Sequence, residues 1–310
     1  MKTCPFFGIC GGCKYDVADA RYRAQKLSEL SNLPITGAPV WVDVGTRRRA
    51  DFAFADGIFG FYKHRSKTIV QISCCPLLCD KINNLIPELV SLPWGGAGSC
   101  LVTLCDNGID VCVSSSVPYF SSEFKKGAEK LSGVIRVTWN GRDVMTRVIP
   151  VVNFDGHVVE YPSGAFLQPT VTSERALREM VVGVVGGARH VADLFCGLGN
   201  FTFALNADGF DINGVGVRRD LFTHPLTVGM LNQYDCIVMD PPRAGAHAQC
   251  RELIRSNVAR VIYVSCNPQT WRRDTGVLMR GGFVLSNLTP VDQFVGSAHW
   301  ELFSVFVKEK

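Results

Sequence analysis

Three cysteines stand close together near the start of the chain, at Cys4, Cys10 and Cys13. Gly11 and Gly12 let the backbone curl between the last two, so that their thiols can converge on one centre. Three thiolates call for a fourth ligand, and the later segment Ser-Cys-Cys-Pro-Leu-Leu-Cys offers three choices. A tetrahedral zinc ion or an iron–sulfur cluster would accept four cysteines. A triplet with one distant cysteine favours the cluster, because zinc sites usually pair two CxxC motifs or add histidines.

Two more reactive side chains follow apolar runs in the second half of the chain. The run Tyr-Asp-Cys-Ile-Val-Met ends at Asp240, which a Pro-Pro corner follows, and the run Arg-Val-Ile-Tyr-Val-Ser leads into Cys266. If both runs are parallel strands, their carboxyl ends share the edge of the sheet at which α/β proteins bind ligands. A cysteine at that edge is a candidate nucleophile, and a small buried residue is the alternative interpretation.

A third apolar run ends in a glycine-bearing turn. Asp193-Leu-Phe195 leads into Cys-Gly-Leu-Gly-Asn200, which opens a predicted helix. Such a turn lets a cofactor approach the backbone at the end of a first parallel strand. It lacks the third glycine of a dinucleotide-binding fingerprint, so by itself it is a weak indication of a cofactor site.

Two different patterns position these groups along the chain. Residues 40–159 alternate between polar and apolar types, which predicts antiparallel β-structure interrupted by helices over 81–90 and within 121–131. From Ser173 onward, helical segments alternate with apolar strands, which predicts a parallel sheet wound by helices. We therefore expect an α/β protein with a second, smaller antiparallel-β domain. The expected parts are a cysteine motif (1–15), a central β-rich RNA-binding domain (16–164) and a catalytic domain (165–310). A helix is expected over 16–31, where it would pack on the catalytic domain.

The amino-acid composition excludes several classes of protein. The 310 residues are 47% hydrophobic and 19% charged, which excludes a disordered or coiled-coil chain. No apolar run approaches the ~20 residues of a membrane span, and no secretory signal is visible. We therefore expect a cytoplasmic protein. Thirteen cysteines are an odd and high number for a reducing compartment, where disulfides are rare, so some of them are expected to do chemistry or bind a ligand.

The formal charge of +4 indicates a polyanionic partner only weakly, whereas clustering is more informative. Aromatic residues interleave with one basic cluster in Phe-Gly-Phe-Tyr-Lys-His-Arg, a composition that suits unstacked bases and phosphates. A solvated surface turn explains that segment equally well. The basic clusters are Arg47–Arg49, Lys63–Lys67, Lys125–Lys126 and Arg272–Arg273.

Together, these motifs resemble those of the RNA uracil-C5 methyltransferases that use S-adenosylmethionine. The resemblance rests on Asp-Leu-Phe-Cys-Gly-Leu-Gly-Asn-Phe, Asp-Pro-Pro-Arg-Ala-Gly-Ala, Val-Ser-Cys-Asn-Pro and the terminal His-Trp-Glu. The cysteine triplet resembles the [4Fe-4S] motif of the members that act on 23S rRNA. The resemblance implies a Rossmann-like class I methyltransferase domain and a uridine of 23S rRNA as substrate. It also implies Cys75 as the fourth cluster ligand, with Cys74 and Cys79 as rivals. From the sequence we infer no obligate protein partner.

The resemblance also implies roles for individual residues. Cys266 would add to C6 of uracil, and Glu301 would remove the C5 proton. Arg243 would hold a phosphate or orient the carboxylate of Asp240. The positions that match the family's cofactor site are Gln168, Phe195, Asn200, Asp220 and Asp240.

The chain departs from the family between Asn200 and Asp220. Nineteen residues stand where the family has a helix, a strand ending in a ribose-binding acid, a second helix and a third strand. One parallel crossover alone takes about a dozen residues, so we expect a shortened segment between 204 and 215. One strand is visible, at 214–217, and Asp208 or Asp211 would have to replace the ribose-binding acid without ending a strand. Two alternative functions stay open. A shortened cofactor site would leave an RNA-binding iron–sulfur protein with impaired cofactor binding. Independently of that segment, the protein could be a tRNA uridine-C5 methyltransferase.

Overall fold

A computed structural model describes residues 4–309, which form two compact units. Unit 1 comprises 4–29, 43–171 and 295–298, and unit 2 comprises 30–42, 172–294 and 299–309. The expected boundary lay between 164 and 165, whereas in the structure the main change of unit falls between 171 and 172. The segment 30–42 also belongs to unit 2, because Leu30 is buried in that unit's core.

Unit 1 is built on a seven-stranded sheet. Its strands are β1 (Arg49–Ala55), β2 (Ile58–Tyr62), β3 (Ile69–Gln71), β4 (Gly98–Leu104), β5 (Ile109–Ser115), β6 (Val134–Trp139) and β7 (Arg142–Thr146). They lie in the order β3-β2-β1-β4-β5-β6-β7, and every pair except β5–β6 is antiparallel. A separate hairpin consists of β8 (Val151–Phe154) and β9 (His157–Glu160).

Three helices occur in the described part of unit 1: α1 (Tyr22–Leu27), α2 (Asp80–Val90) and α3 (Ser122–Ala128). Helices α2 and α3 confirm the helices predicted over 81–90 and within 121–131. Helix α1 is shorter than the helix expected over 16–31, and a 3₁₀ turn (Ser28–Leu30) follows it. Helix α2 buries one apolar face against the sheet, with Ile82, Leu85, Ile86 and Leu89 at helical spacing. Ser121 caps α3 by accepting a hydrogen bond of 3.0 Å from the backbone N–H of Phe124.

Unit 2 contains a second seven-stranded sheet. Its strands are β10 (Val191–Leu194), β11 (Asp208–Asp211), β12 (Val217–Arg218), β13 (Cys236–Met239), β14 (Arg260–Ser265), β15 (Phe283–Val291) and β16 (Glu301–Lys308). The order is β12-β11-β10-β13-β14-β16-β15, in which β16 is antiparallel to both neighbours and the first five strands are parallel. The order reverses between β10 and β13, and open α/β sheets bind ligands at such a switch point.

Helices accompany the second sheet: α4 (Val171–Val185), α5 (Asn200–Leu205), α6 (Val228–Leu231), α7 (His247–Leu253) and α8 (Pro268–Arg280). Two apolar clusters form the core of unit 2, and strand β13 is buried along its whole length. Continuous burial explains why the central strands are apolar runs without alternation. Within 4–309, no helix is long and apolar enough to cross a membrane.

The shortened segment holds two strands instead of the one expected. After α5 the chain forms β11, and only residues 212–216 separate it from β12, which pairs with it in parallel. A connection this short is possible because β12 has only two residues and Gly214 and Gly216 pack closely on neighbouring backbone. The expectation that Asp211 does not end a strand is therefore wrong, since Asp211 is the last residue of β11.

Candidate active site and cysteine cavity

The register of three strands places the predicted catalytic residues at one edge of the unit 2 sheet. Asp240 and Cys266 directly follow the parallel neighbours β13 and β14. Strand β16 is antiparallel to β14, with Leu302 opposite Ser265, so its first residue, Glu301, lies at the same edge. A thiol and two carboxylates, separated by up to sixty-one residues of sequence, are thus brought to one place.

Burial and mutual charge set the acidities at this edge. The pKa of Cys266 is raised to about 12, mainly by burial and then by the charges of Glu301 and Asp240, while Arg243 lowers it. The pKa of Glu301 lies well above its ordinary value because the carboxyl is buried and Asp240 is near. The thiol is therefore protonated at neutral pH in the free protein, and it needs a group that accepts its proton.

Gln293 is a site residue that the sequence did not reveal. It follows β15, which pairs with β16, and its Nε2 donates a hydrogen bond to Oε2 of Glu301. Both side chains are buried. The other carboxyl oxygen of Glu301, Oε1, has no hydrogen-bond partner among the described residues, and it is the atom available for a proton. A glutamine after an apolar strand has no distinctive spacing, so no motif indicated it.

A buried carboxylate on α8 fixes the loops of the site. Asp274 accepts hydrogen bonds from the hydroxyl of Tyr263 (2.8 Å), three residues before Cys266, and from the backbone N–H of Ala246 (2.7 Å). Asn267 Nδ2 donates to the carbonyl of Arg243 at 3.0 Å. The loop after β13 and the turn after β14 are thus joined to each other and to α8.

The glycine turn after β10 has the backbone that a close ligand approach requires. Phe195, Gly197 and Gly199 all have positive φ (60°, 52° and 93°). Asn200 begins α5, and its Oδ1 accepts a hydrogen bond of 2.9 Å from Arg178. Three of the residues predicted at the cofactor site, Phe195, Asn200 and Asp240, therefore follow the two strands that border the switch point.

Asp220 lies just after β12, and its carboxylate forms hydrogen bonds within the loop that contains it. It accepts hydrogen bonds from Thr223 Oγ1 (2.7 Å) and the backbone N–H of Phe222 (3.0 Å), and both lower the pKa of Asp220. This loop places the ring of Phe222 with its centroid 5.3 Å from that of Phe195, at 54°. The two rings form an apolar wall beside the glycine turn.

Asp211 contacts the glycine turn directly. Its Oδ2 accepts from the N–H of Gly197 at 3.1 Å, and Val215 N donates to the Gly197 carbonyl at 2.8 Å. Segment 212–216 therefore packs on the turn. Asp193, at the end of β10, is buried, and its pKa is raised to about 7, mainly by burial and in small part by the charge of Asp211.

Gln168, another predicted cofactor residue, belongs to unit 1. Its side chain is buried, and its backbone carbonyl accepts a hydrogen bond of 3.1 Å from Arg48 Nε. Arg48 also donates its backbone N–H to the carbonyl of Pro169 at 2.8 Å. These bonds fix the Gln168 backbone in unit 1, and its role in binding a cofactor stays a prediction.

Unit 1 brings cysteines from two distant segments to one cavity of ≈ 340 Å³. Cys79, one of the rival fourth ligands, does not line this cavity and lies at the N-cap position of α2, where its side chain forms no capping hydrogen bond. Within the described range 4–309, no three His, Cys, Asp or Glu side chains are already arranged as a metal site. The cysteines that line the cavity are Cys4, Cys10, Cys13, Cys74 and Cys75.

The cavity thiols lie within electrostatic range of one another. Burial is the main cause that raises the pKa of Cys13 to about 12, and the charges of Cys75 and Cys10 add to it, while Arg47 opposes the shift. The pKa values of Cys10 and Cys75 are raised chiefly by burial as well. The backbone N–H of Gly12 donates to Sγ of Cys10 at 3.4 Å.

Comparison with known proteins identifies the family. The sequence model of the family described as tRNA (Uracil-5-)-methyltransferase matches residues 222–310. A protein named as an uncharacterized RNA methyltransferase of Rhizobium meliloti (strain 1021) is 32% identical over 97% of this chain and 83% of its own length. The chain belongs to the RNA uracil-5-methyltransferase family. A second uncharacterized RNA methyltransferase, from Caulobacter vibrioides, is 34% identical over 99% of this chain and 86% of its own length.

These relatives confirm the prediction of an RNA methyltransferase. The fold is shared with the crystal structure of the Pyrococcus abyssi tRNA (uracil-54, C5)-methyltransferase in complex with S-adenosyl-L-homocysteine. The TM-score is 0.72 at 19% identity, over 93% of this chain and 83% of that chain. The Rossmann-like methyltransferase fold is thereby confirmed as well. The alignment with the R. meliloti relative spans 344 positions, against 310 residues here, so at least 34 of those positions have no counterpart in this chain.

Proposed function

We propose that the protein methylates C5 of a uridine in RNA, with S-adenosylmethionine as the methyl donor, Cys266 as nucleophile and Glu301 as base. The observation that supports this most is the common sheet edge of Cys266, Glu301 and Asp240. Packing alone does not require a half-buried thiol beside two carboxylates, because desolvated charge is costly. A thiol and a base at one edge are what the chemistry of C5 requires.

C5 of uracil is a weak nucleophile. The thiol proton first passes to solvent, and Glu301 is unprotonated when it acts as the base. Addition of the Cys266 thiolate to C6 then moves electron density onto C5. Arg243 favours the thiolate by lowering the pKa of Cys266. When bound, S-adenosylmethionine would supply an electrophilic methyl group to C5 and leave as S-adenosylhomocysteine. Oε1 of Glu301 then takes the C5 proton, the C6–S bond breaks, and the proton later leaves to solvent, which restores both residues.

The residues at the switch point fit this methyl donor. Nδ2 of Asn200 is buried with no hydrogen-bond partner in the part of the chain that the structure describes, so it is available to a ligand. The rings of Phe195 and Phe222 suit an adenine. Of the two candidate acids, we propose Asp211 as the ribose-binding one, because it ends strand β11. The other residues that we propose as contacts of the donor are Gln168, Asp220 and Asp240.

We also propose that the cysteine cavity holds a [4Fe-4S] cluster through Cys4, Cys10, Cys13 and Cys75. Hydrogen bonds from the backbone of Leu77 and Leu78 oppose the rise that burial causes in the pKa of Cys75, and hydrogen bonds to cysteine sulfur tune iron–sulfur clusters. The reducing cytoplasm is the compartment in which these thiols would stay reduced. An anaerobic absorption spectrum with iron analysis tests the proposal: iron and visible absorption support it, and a colourless protein with stoichiometric zinc contradicts it.

The cysteine motif supports 23S rRNA as the substrate, because it resembles that of the rRNA-modifying members. A tRNA is the second candidate, favoured by the description of the matching family and by the P. abyssi enzyme. Mass spectrometry of rRNA and tRNA from cells with and without this gene distinguishes the two substrates. Loss of one 5-methyluridine from 23S rRNA supports the first target, loss from tRNA alone replaces it, and no loss from either contradicts the proposed activity.

A second candidate function is RNA binding without methylation. The contacts of Asp211 and Val215 with Gly197 place segment 212–216 on the turn that a cofactor would approach. Calorimetry with S-adenosylmethionine separates the two functions. Binding at micromolar cofactor supports the methyltransferase, and no detectable heat at millimolar cofactor supports the binder.

A further inference from the structure

We infer that the turn between β2 and β3, residues 63–68, docks single-stranded RNA. The side chains of Lys63, His64, Arg65 and Lys67 are all exposed there. None of them forms an ion pair or a side-chain hydrogen bond with any residue in the range 4–309. Uncompensated positive charge at one turn attracts a polyanion. The identity of that polyanion as RNA rests on the proposed function.

Two of the other three basic clusters are occupied by contacts inside the protein. The side chains of Arg47–Arg49 are buried or half-buried and donate to backbone carbonyls. Arg272 donates to a backbone carbonyl, and Arg273 pairs with a buried carboxylate. The third cluster, Lys125–Lys126, is exposed on α3 but has Glu123 and Glu129 as neighbours in sequence. Among the residues described, neither the 63–68 turn nor Lys125–Lys126 has an ion-pair or carbonyl partner, but the turn has no Asp or Glu near it in sequence, since none occurs between residues 57 and 79.

The turn is held in a fixed conformation by bonds at its base. The backbone N–H of Lys63 donates to the carbonyl of Thr68 at 2.9 Å. Gly11 N donates to the carbonyl of Tyr62 at 2.8 Å, and a Cβ at Gly11 would lie 2.7 Å from the backbone nitrogen of His64. The cysteine loop therefore packs directly against the turn. A charged surface that is already ordered loses less entropy on binding.

An aromatic ring distinguishes the turn as a site for nucleic acid. Tyr62 is 47% exposed at the end of β2, directly beside the cations, and a base can stack on such a ring. Phe61, the preceding residue, points inward and stacks on Phe52 with ring centroids 4.7 Å apart. An anionic lipid surface would use the charges but has no base for the ring, so the combination favours single-stranded RNA.

The test compares two triple variants of the full-length protein that remove the same charge. One carries Lys63→Ala, Arg65→Ala and Lys67→Ala; the control carries Lys125→Ala, Lys126→Ala and Lys130→Ala. Binding of a single-stranded 23S rRNA fragment is measured from 0.05 to 0.5 M salt, a range over which the Debye length falls about threefold. Each lost phosphate contact reduces the magnitude of the slope of log K against log[salt] by about 0.7. The turn variant, which loses three cations, should therefore show a slope smaller in magnitude by about 2. Its affinity for the RNA at 0.1 M salt should fall on the order of 100-fold.

The control variant should keep the slope and affinity of the natural protein. Equal losses in both variants would overturn the inference, because they would show a general effect of net charge. Unchanged RNA affinity and salt slope in the turn variant would also overturn the inference, and they would indicate a lipid or protein partner for the turn. Tyr62→Leu should weaken binding roughly tenfold without changing the salt slope. Because binding is measured without methyl donor, a failure of the proposed methylation does not alter the readout.

Discussion

At the residue scale, burial controls the acid–base behaviour of unit 2. Cys266, Glu301 and Asp193 all have raised pKa values, and desolvation is the largest cause in each case. Asp193 accepts a hydrogen bond of 2.7 Å from Thr202 Oγ1 at one oxygen, while its Oδ1 has no partner among the residues described. Such groups favour their protonated forms, which links both stability and activity to pH.

Asp193→Asn should flatten the pH dependence of stability. Burial raises the pKa of Asp193 from 3.8 to about 7, so between these pH values the folded chain keeps a proton that the unfolded chain has lost. The stability that this proton contributes is complete below about pH 4 and is lost as the pH rises through 7. Urea unfolding at pH 5 and pH 8 measures it. The natural protein should lose more stability between the two pH values than the variant, and equal losses would contradict the assignment.

At the scale of elements, helix α8 connects the loops that carry the site. Its buried Asp274 binds Tyr263 of β14 and the loop that ends at Ala246, and Arg273 Nε lies 2.8 Å from the same carboxylate. Thr270 Oγ1 also donates to the carbonyl of Arg243 at 3.2 Å. The position of the loop after β13 therefore depends on one helix rather than on the loop's own sequence.

Asp274→Ala should destabilise the protein by about 3–5 kcal/mol, because it leaves buried donors unpaired. Glu252→Ala is the matched control, since Glu252 pairs with the largely exposed Arg255 and such pairs contribute about 0–1 kcal/mol. Urea unfolding of both variants measures the free energies. A loss with Asp274→Ala no larger than that with Glu252→Ala would show that α8 does not hold the loops.

Elements with strong local patterns could be predicted from the sequence, and elements made by pairing could not. β14 has the predicted bounds, Arg260–Ser265, because an apolar run ends at a turn that Pro268 rigidifies. Strand β11 was missed because Asp208-Gly-Phe-Asp211 has no strand pattern and is a strand only through its pairing with β10. Gln293 was missed for the same reason, since only the pairing of β15 with β16 brings it to Glu301.

At the scale of the whole molecule, the chain passes between the two units several times. Residues 295–298 come late in the sequence but belong to unit 1, where the carbonyl of Gly296 accepts hydrogen bonds from Lys14 N (2.8 Å) and Tyr15 N (2.9 Å). A Cβ at Gly296 would lie 3.0 Å from Sγ of Cys13. Composition changes along the sequence predict two domains, but they contain no information on such long-range returns of the chain.

The cysteine cavity gives a prediction for unit 1 as a whole. Cys75→Ser should remove most of the bound iron, whereas Cys74→Ser and Cys79→Ser should retain it, because the first is the proposed ligand and Cys79 lies outside the cavity lining. Iron content and visible absorption of anaerobically purified protein measure the difference. Retention of iron by Cys75→Ser together with its loss in Cys74→Ser would reassign the fourth ligand.

Trapping of a covalent intermediate tests the central claim most directly. Glu301→Gln keeps a side chain that can accept the hydrogen bond from Gln293 but cannot take the C5 proton, so turnover should fall about 10²–10⁴-fold and the Cys266–uracil bond should persist. Incubated with substrate RNA and S-adenosylmethionine, this variant should give a protein–RNA adduct on a denaturing gel. The double variant Cys266→Ala/Glu301→Gln should give none. An adduct that survives the loss of Cys266, or no adduct with Glu301→Gln, would contradict the proposed mechanism.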